Sequence, residues 1–198
     1  VMTGEEAEET LVSQPYLRSA DDDVAFIQCV GSRDPKLGRN YCSAVCCSYA
    51  SRLAKVIASR SPEARATVYY IDLQNGDKTF AHARRDMVQE GVRFVRAVPF
   101  AVDRAASGKL RLKVESAGEP HGVAEHDIVV LSTGIGPTSE APHVAELFGL
   151  HRDPFGFFIA EHPRVRAVGT CVRPQSIADS MVSSLAACTG GPGEPVGE

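Results

Sequence analysis

Residues 24–57, VAFIQCVGSRDPKLGRNYCSAVCCSYASRLAKVI, followed at 66–73 by ATVYYIDL, decide the fold. Val24–Val30 is an apolar run closed by Gly31-Ser32-Arg33-Asp34-Pro35, as expected of a buried strand that empties into a loop. Tyr49, Leu53, Val56 and Ile57 recur at helical spacing, with Arg52, Lys55 and Ser59 on the other side. That pattern predicts an amphipathic helix over about 44–59, stopped by Ser61-Pro62. Ala66–Leu73 is rich in β-formers, Lys78–Gln89 is charged and helix-compatible, and Gly91–Val98 (GVRFVRAV) reads as a third strand. Strand, helix, strand, helix, strand requires right-handed crossovers, which give an α/β fold with a Rossmann-like parallel sheet.

On the N-terminal side, residues 1–23 are acidic, lack periodicity and close with Asp21, Asp22 and Asp23, so they read as a linker or arm. Beyond Pro99 the runs shorten. Lys109–Glu115 (KLRLKVE) alternates apolar and charged residues, a turn-rich stretch holds Gly118 and Pro120, and Asp127–Leu131 (DIVVL) is continuously apolar. This predicts an antiparallel excursion that returns to a buried strand. The sheet-forming domain is therefore expected over 24–132. A further segment over 133–189 holds Thr133-Gly134-Ile135-Gly136-Pro137, a short helix near His143–Leu147, the runs Gly156–Ile159 and Val165–Gly169, and a helix from Ser176 to Ala187. The tail at 190–198, GGPGEPVGE, is expected to be disordered.

The composition excludes several functions. With 198 residues, 43% apolar residues, a formal charge of −4 and a pI near 5.9, the chain can bury a core but lacks the basic footprint of a nucleic-acid binder. No apolar run approaches the roughly 20 residues that span a bilayer, and the acidic start is unlike a signal or transit peptide. A soluble, cytoplasmic protein is expected. The six His show no metal-ligand spacing, and Ser132, Ser139 and Ser176 lie in no nucleophile elbow.

The functional signal lies in the cysteines. Cys29, Cys42, Cys46 and Cys47 fall within nineteen residues, spaced C-x12-C-x3-C-C, between the first strand and the start of the helix. Iron–sulfur clusters take one thiolate per iron, so adjacent cysteines can serve two corners. A single zinc needs four sulfurs on one ion and is usually gripped by paired C-x2-C-like knuckles, which are absent. Iron–sulfur is favoured over a structural zinc, and both over inert core thiols or disulfides. Cys171 and Cys188 lie far from the quartet and read as buried small hydrophobes.

The stretch FIQCVGSRDPKLGRNYCSAVCCSYASRLAKVI, with ATVYYIDLQ, GVRFVRAVP, IVVLSTGIGP and AVGTCVRPQSIADSMVSSLAA, closely resembles the A subunit of heterodisulfide reductase, an iron–sulfur flavoprotein related to thioredoxin reductase. The resemblance runs from about Asp23 to about Cys188 and covers part of that family's length. It implies that Cys29, Cys42, Cys46 and Cys47 bind one 4Fe-4S cluster, seated where the second nucleotide domain of pyridine-nucleotide reductases carries its G-x-G-x-x-G turn. Asp72, which would otherwise suggest a ribose contact, is then a strand-end carboxylate.

The resemblance also implies a partial flavin-domain return segment, with Thr133, Gly134, Gly169, Thr170, Ser176 and Ile177 as candidate FAD contacts. Ser176 and Ile177 would open a helix whose N-terminus faces the flavin. Thr170-Cys171 stands where wider relatives carry an Asp for the ribityl chain, and no first flavin fingerprint is present. FAD is then either shared with a partner chain carrying the other half or absent. The expected role is a non-catalytic redox subunit that relays electrons between flavin and partner iron–sulfur subunits. Arg84, Arg85, Arg104, Lys109, Arg111 and Lys113 read as solvated faces, or as a docking patch for an acidic, ferredoxin-like carrier. The alternative is a degenerate Rossmann-like assembly module holding a structural zinc or inert cysteines. A flavin-dependent disulfide oxidoreductase ranks lower, for want of a C-x-x-C or C-x4-C redox pair.

Overall fold

A computed structural model describes residues 1–74, 78–116, 119–159, 162 and 164–189, so the tail read from the sequence lies outside the described residues. The chain divides into two units, one of residues 1–30 and 46–133, the other of residues 31–45 and 134–198.

The first unit is built on a parallel sheet in the order β1 (Met2–Thr3), β8 (Ile128–Thr133), β2 (Asp23–Val30), β3 (Arg65–Tyr70), β4 (Val92–Arg96). The strands alternate between two apolar layers because successive side chains point to opposite faces. Val24 and Phe26 of β2, Val68 of β3 and Val130 of β8 pack on one side against α1 (Gly4–Ser13), α2 (Cys46–Arg60) and α3 (Lys78–Gln89) through Leu11, Leu53, Ile57 and Met87. Ala25, Ile27, Tyr69 and Val129 pack on the other side against Leu112 and Val114. Those two belong to β6 (Leu110–Ser116), the centre of a three-stranded antiparallel sheet with β5 (Val98–Arg104) and β7 (Glu119–His126). A sheet covered on both faces explains the unbroken apolar runs in its strands.

The two sheets are also tied by polar groups. His126, 4% exposed, meets Asp23 Oδ1 through Nδ1 at 2.7 Å and the Tyr69 hydroxyl through Nε2 at 2.9 Å. With Nδ1–H donating to the carboxylate, Nε2 accepts from Tyr69, and both ring nitrogens are satisfied. Asp23 also pairs with Arg65 at 3.2 Å.

Two stretches differ from the sequence reading. Residues 1–13, expected as an acidic arm, form β1 and α1. Thr3 and Glu6 make a reciprocal capping box, with the Thr3 N–H donating to Glu6 Oε2 at 2.7 Å, and Gly4, Ala7 and Leu11 supply a narrow buried stripe. The turn signals at Pro99 and Pro120 lie inside strands β5 and β7, the outer strands of the antiparallel sheet, where a missing N–H is tolerated.

In the second unit, Asp34 caps a 3-10 turn over Pro35–Leu37, and Tyr41 stands edge-on to Phe155 and Phe157 with ring centroids 5.2 and 5.3 Å apart. Helix α4 spans Ala141–Phe148 and α5 spans Ile177–Thr189. The run Gly156–Ile159 is held by an isolated bridge between Arg152 and Phe158, without a strand. Among the described residues no helix is long and apolar enough to cross a membrane.

Candidate metal centre

Three of the four cysteines meet inside the first unit. Cys29, Cys46 and Cys47 form one buried cluster at 9%, 1% and 3% exposure, with Tyr49, Ile71 and Leu73 packed against it. Cys29 is delivered by β2. Its backbone is left-handed, φ 62°, where the pairing register of β2 with β8 shifts between Ile27 and Val30. A bulge re-aims the side chain of the extra residue, and a left-handed non-glycine costs roughly 1–2 kcal/mol. Cys46 and Cys47 are the first two residues of α2, at the positive end of the helix dipole.

Cys42 belongs to the second unit, and its Sγ accepts the Ala44 N–H at 3.3 Å. Ala44 is left-handed as well, φ 61°. All six cysteines are described and none is bridged. Cys171 and Cys188 are exposed, contrary to their reading as buried hydrophobes. Cys188 rides on α5, which has no buried residue, and the Cys171 thiol donates to the Val168 carbonyl at 2.9 Å.

The electrostatics of the trio favour a thiolate. Hydrogen bonds from the Cys29 and Cys47 side chains, and then from their backbones, hold the Cys46 thiol far below the ordinary range, against the opposing effect of burial. Burial, with help from the charge of Cys46 and Cys47, pushes the Tyr49 phenol up to about 12, although its bond to Thr133 acts the other way. Tyr49 therefore stays a donor, and its hydroxyl gives a 2.7 Å hydrogen bond to the Thr133 carbonyl. Buried, unbridged sulfurs biased towards the thiolate form are the donor set that iron requires. No three His, Cys, Asp or Glu among the described residues are placed to hold a single metal ion.

The candidate flavin residues fall into separate local structures. Thr133 ends β8 and accepts from Tyr49. Gly134 is a point of close approach: a Cβ there would lie 1.7 Å from Ser43 Oγ and 2.4 Å from Ser43 Cβ. Gly169, φ 69°, opens a 3-10 turn over Gly169–Cys171 and donates its N–H to Ser183 Oγ at 3.1 Å, while Thr170 in the same turn is exposed. Ser176 precedes α5. Its hydroxyl donates to Asp179 Oδ2 at 2.6 Å and accepts the Asp179 N–H at 3.1 Å, so a carboxylate of the chain already sits on that helix start. Ile177 is 83% exposed.

Tyr49 and Ala44 were not singled out from the sequence as site residues. Tyr49 reads as one apolar position of an amphipathic helix, and its tie to Thr133 spans 84 residues. The left-handed backbone of Ala44 has no signature in an alanine.

Comparison with known proteins agrees with this architecture. The chain is 37% identical over 177 residues to the iron-sulfur A subunit, form 2, of the CoB–CoM heterodisulfide reductase of Methanopyrus kandleri, covering 83% of the chain and 27% of the relative. It is 38% identical over 159 residues to the iron-sulfur A subunit of the CoB–CoM heterodisulfide reductase of Methanocaldococcus jannaschii, covering 78% of the chain and 24% of the relative. The chain thus spans about a quarter of the length of these relatives. No family model matches. Among solved structures, a hypochlorous-acid-induced flavoprotein disulfide reductase of Escherichia coli superposes with a TM-score of 0.59 at 12% identity, over 87% of this chain and 36% of that one. Thioredoxin reductase of T. acidophilum gives a TM-score of 0.53 at 14% identity, over 83% and 48%. At such identities these two show the fold, which is α/β and of the flavoprotein disulfide reductase kind. Over the stretch that it spans, the chain belongs to the family of heterodisulfide reductase A subunits.

Proposed function

We propose that this chain is the cluster-bearing portion of an electron-transfer subunit, in which Cys29, Cys42, Cys46 and Cys47 hold one 4Fe-4S cluster. The observation that carries the reading is the gathering of Cys29, Cys46 and Cys47 into one buried group at a strand end and a helix start. The place of Cys42 in the set rests on its spacing, four residues before Cys46, and the Ala44 N–H on its sulfur supports it. When bound, such a cluster takes up and gives out single electrons. The protein supplies the rest. The α2 N-terminus favours negative charge at Cys46 and Cys47, the bulge aims Cys29, and burial excludes water from the sulfurs.

The wider role follows from the relatives' names. Two are named as iron-sulfur A subunits, and a relative in Methanosarcina mazei is named as the A subunit of a ferredoxin:CoB-CoM heterodisulfide reductase. In our reading the chain works in a heterodisulfide-reductase-like complex and relays electrons between a flavin and partner iron–sulfur subunits, with a ferredoxin-like protein as carrier. FAD is shared with a flavin-binding half, towards which Thr133, Gly134, Gly169, Thr170, Ser176 and Ile177 are the candidate contacts. Helix α5 leaves Ile177, Met181, Val182 and Leu185 exposed, an apolar face of the kind that a partner surface covers.

The test is anaerobic purification or reconstitution with iron and sulfide, followed by metal analysis and low-temperature EPR of the reduced protein. About four irons and four sulfides per chain with a reducible signal are expected, and Cys46→Ser should lower both. One zinc per chain without a reducible signal would establish the structural-zinc alternative instead.

A further inference from the structure

We propose that Tyr49 is a positioning residue of the cysteine centre: its ring lies against Cys29, Cys46 and Cys47, and its hydroxyl ties the first turn of α2 to the carbonyl with which β8 ends. This rests on the cluster reading above and adds to it a residue that is no ligand.

Three observations support the role. Tyr49 stands three residues after Cys46, so on a helix the two side chains share a face. Its hydroxyl donates to the Thr133 carbonyl at 2.7 Å, a link between helix and strand that phenylalanine could not make. The far side of the ring is fitted to Gly4 at the start of α1, where a Cβ would come within 2.5 Å of Tyr49 Cε2. The ring is therefore held between a helix start that has no side chain and the sulfurs, and it also belongs to the main apolar layer through Leu53 and its neighbours. A tyrosine so placed fixes where Cys46 and Cys47 stand relative to the end of β8 and keeps water from that side of the sulfurs.

Two variants of the full chain test this from opposite sides. Tyr49→Phe removes the tie but keeps the ring, and Gly4→Ala presses on the ring without altering Tyr49. In the metal-free protein, kept reduced, the alkylation rate of Cys46 and Cys47 by iodoacetamide is mapped by mass spectrometry. Loss of one net hydrogen bond shifts a local opening equilibrium about five-fold, so Tyr49→Phe should speed labelling by about that factor. Gly4→Ala should act in the same direction. In the loaded protein, EPR-monitored titration of Tyr49→Phe should give an unchanged iron content and a raised midpoint potential, because admitted water favours the more negative, reduced cluster. Labelling rates and potential equal to those of the parent would overturn the inference. If the parent itself takes up no cluster, the cluster reading fails, and the labelling experiment still decides the role of Tyr49.

Discussion

Replacing Gly134 by alanine should be far more damaging than one added methyl group suggests. A Cβ at this position would stand 1.7 Å from Ser43 Oγ and 2.4 Å from Ser43 Cβ, with Ser32 Oγ at 3.4 Å. Carbon atoms in contact settle near 3.5–4.0 Å, so the backbone around residues 43 and 134 must separate by more than an ångström. Turning the Ser43 hydroxyl away would not suffice, because its Cβ is itself too close. Ser43 is fully buried and cannot swing into solvent. The loss should reach or exceed the upper end of the roughly 1–3 kcal/mol that overpacking costs. Urea unfolding followed by far-UV circular dichroism reads this as a lowered midpoint. Ser43→Gly removes the obstructing atoms, so the double variant should recover much of the loss, a coupling of at least about 1 kcal/mol. Ser43→Ala alone should be neutral or stabilising, because its hydroxyl has no hydrogen-bond partner among the described residues. A Gly134→Ala protein as stable as the parent, or a double variant no better than the sum of its parts, would refute the close-packing argument.

Three further outcomes follow from the same geometry. Tyr69→Phe leaves Nε2 of the buried His126 without its donor and should destabilise by roughly 1–3 kcal/mol in a urea titration, whereas Tyr70→Phe, at a part-exposed hydroxyl, should change little. Burial works to raise the Asp23 carboxyl, but the hydrogen bond and charge of His126, with Arg65 and Lys109, outweigh it and hold the pKa below the usual carboxylate value. Asp127 is lowered in the same way by Lys109, the Asp23 N–H and Arg18, again against burial. A folded pKa below the unfolded one gives stability that is present above about pH 4 and lost as the pH falls through the folded value. The parent should therefore lose stability in acid more steeply than Asp23→Asn, and parallel curves would contradict this. Ala44→Val forces a β-branched residue into a left-handed backbone and should cost more than about 1 kcal/mol, whereas Ala44→Gly should be tolerated and keep its N–H on Cys42, as thermal melts of the two would show.

The strands with the longest apolar runs were legible because burial on both faces leaves few alternatives to Val24–Val30 or to DIVVL. Helix α3 starts and ends at the expected residues, and α2 begins at Cys46, two residues after the expected start. Helix α1 escaped because Gly4, Ala7 and Leu11 make a stripe too narrow and too small to stand out among the surrounding glutamates and threonines. Strands β5 and β7 escaped because Pro99, Pro120 and Gly122 look like turns until one knows that these strands lie at the borders of their sheet. The cysteine quartet was visible in one dimension. The left-handed turns at Cys29 and Ala44, and the partnership of Tyr49 with Gly4 and Thr133, depend on contacts that only the folded chain makes.

The two-residue strand β1 does more than its length suggests. It lies beside β8 on the side away from β2, through Met2 with Val130 and Thr3 with Leu131. Behind it, Ala7 and Leu11 cover the apolar layer to which Val130 contributes. A fragment trimmed to begin at Asp23, where the recognisable similarity starts, would bare the rim of IVVLST and invite neighbouring molecules to add strands there. Insolubility of such a truncation would then reflect a lost selvedge, and it would say nothing against the cysteine centre.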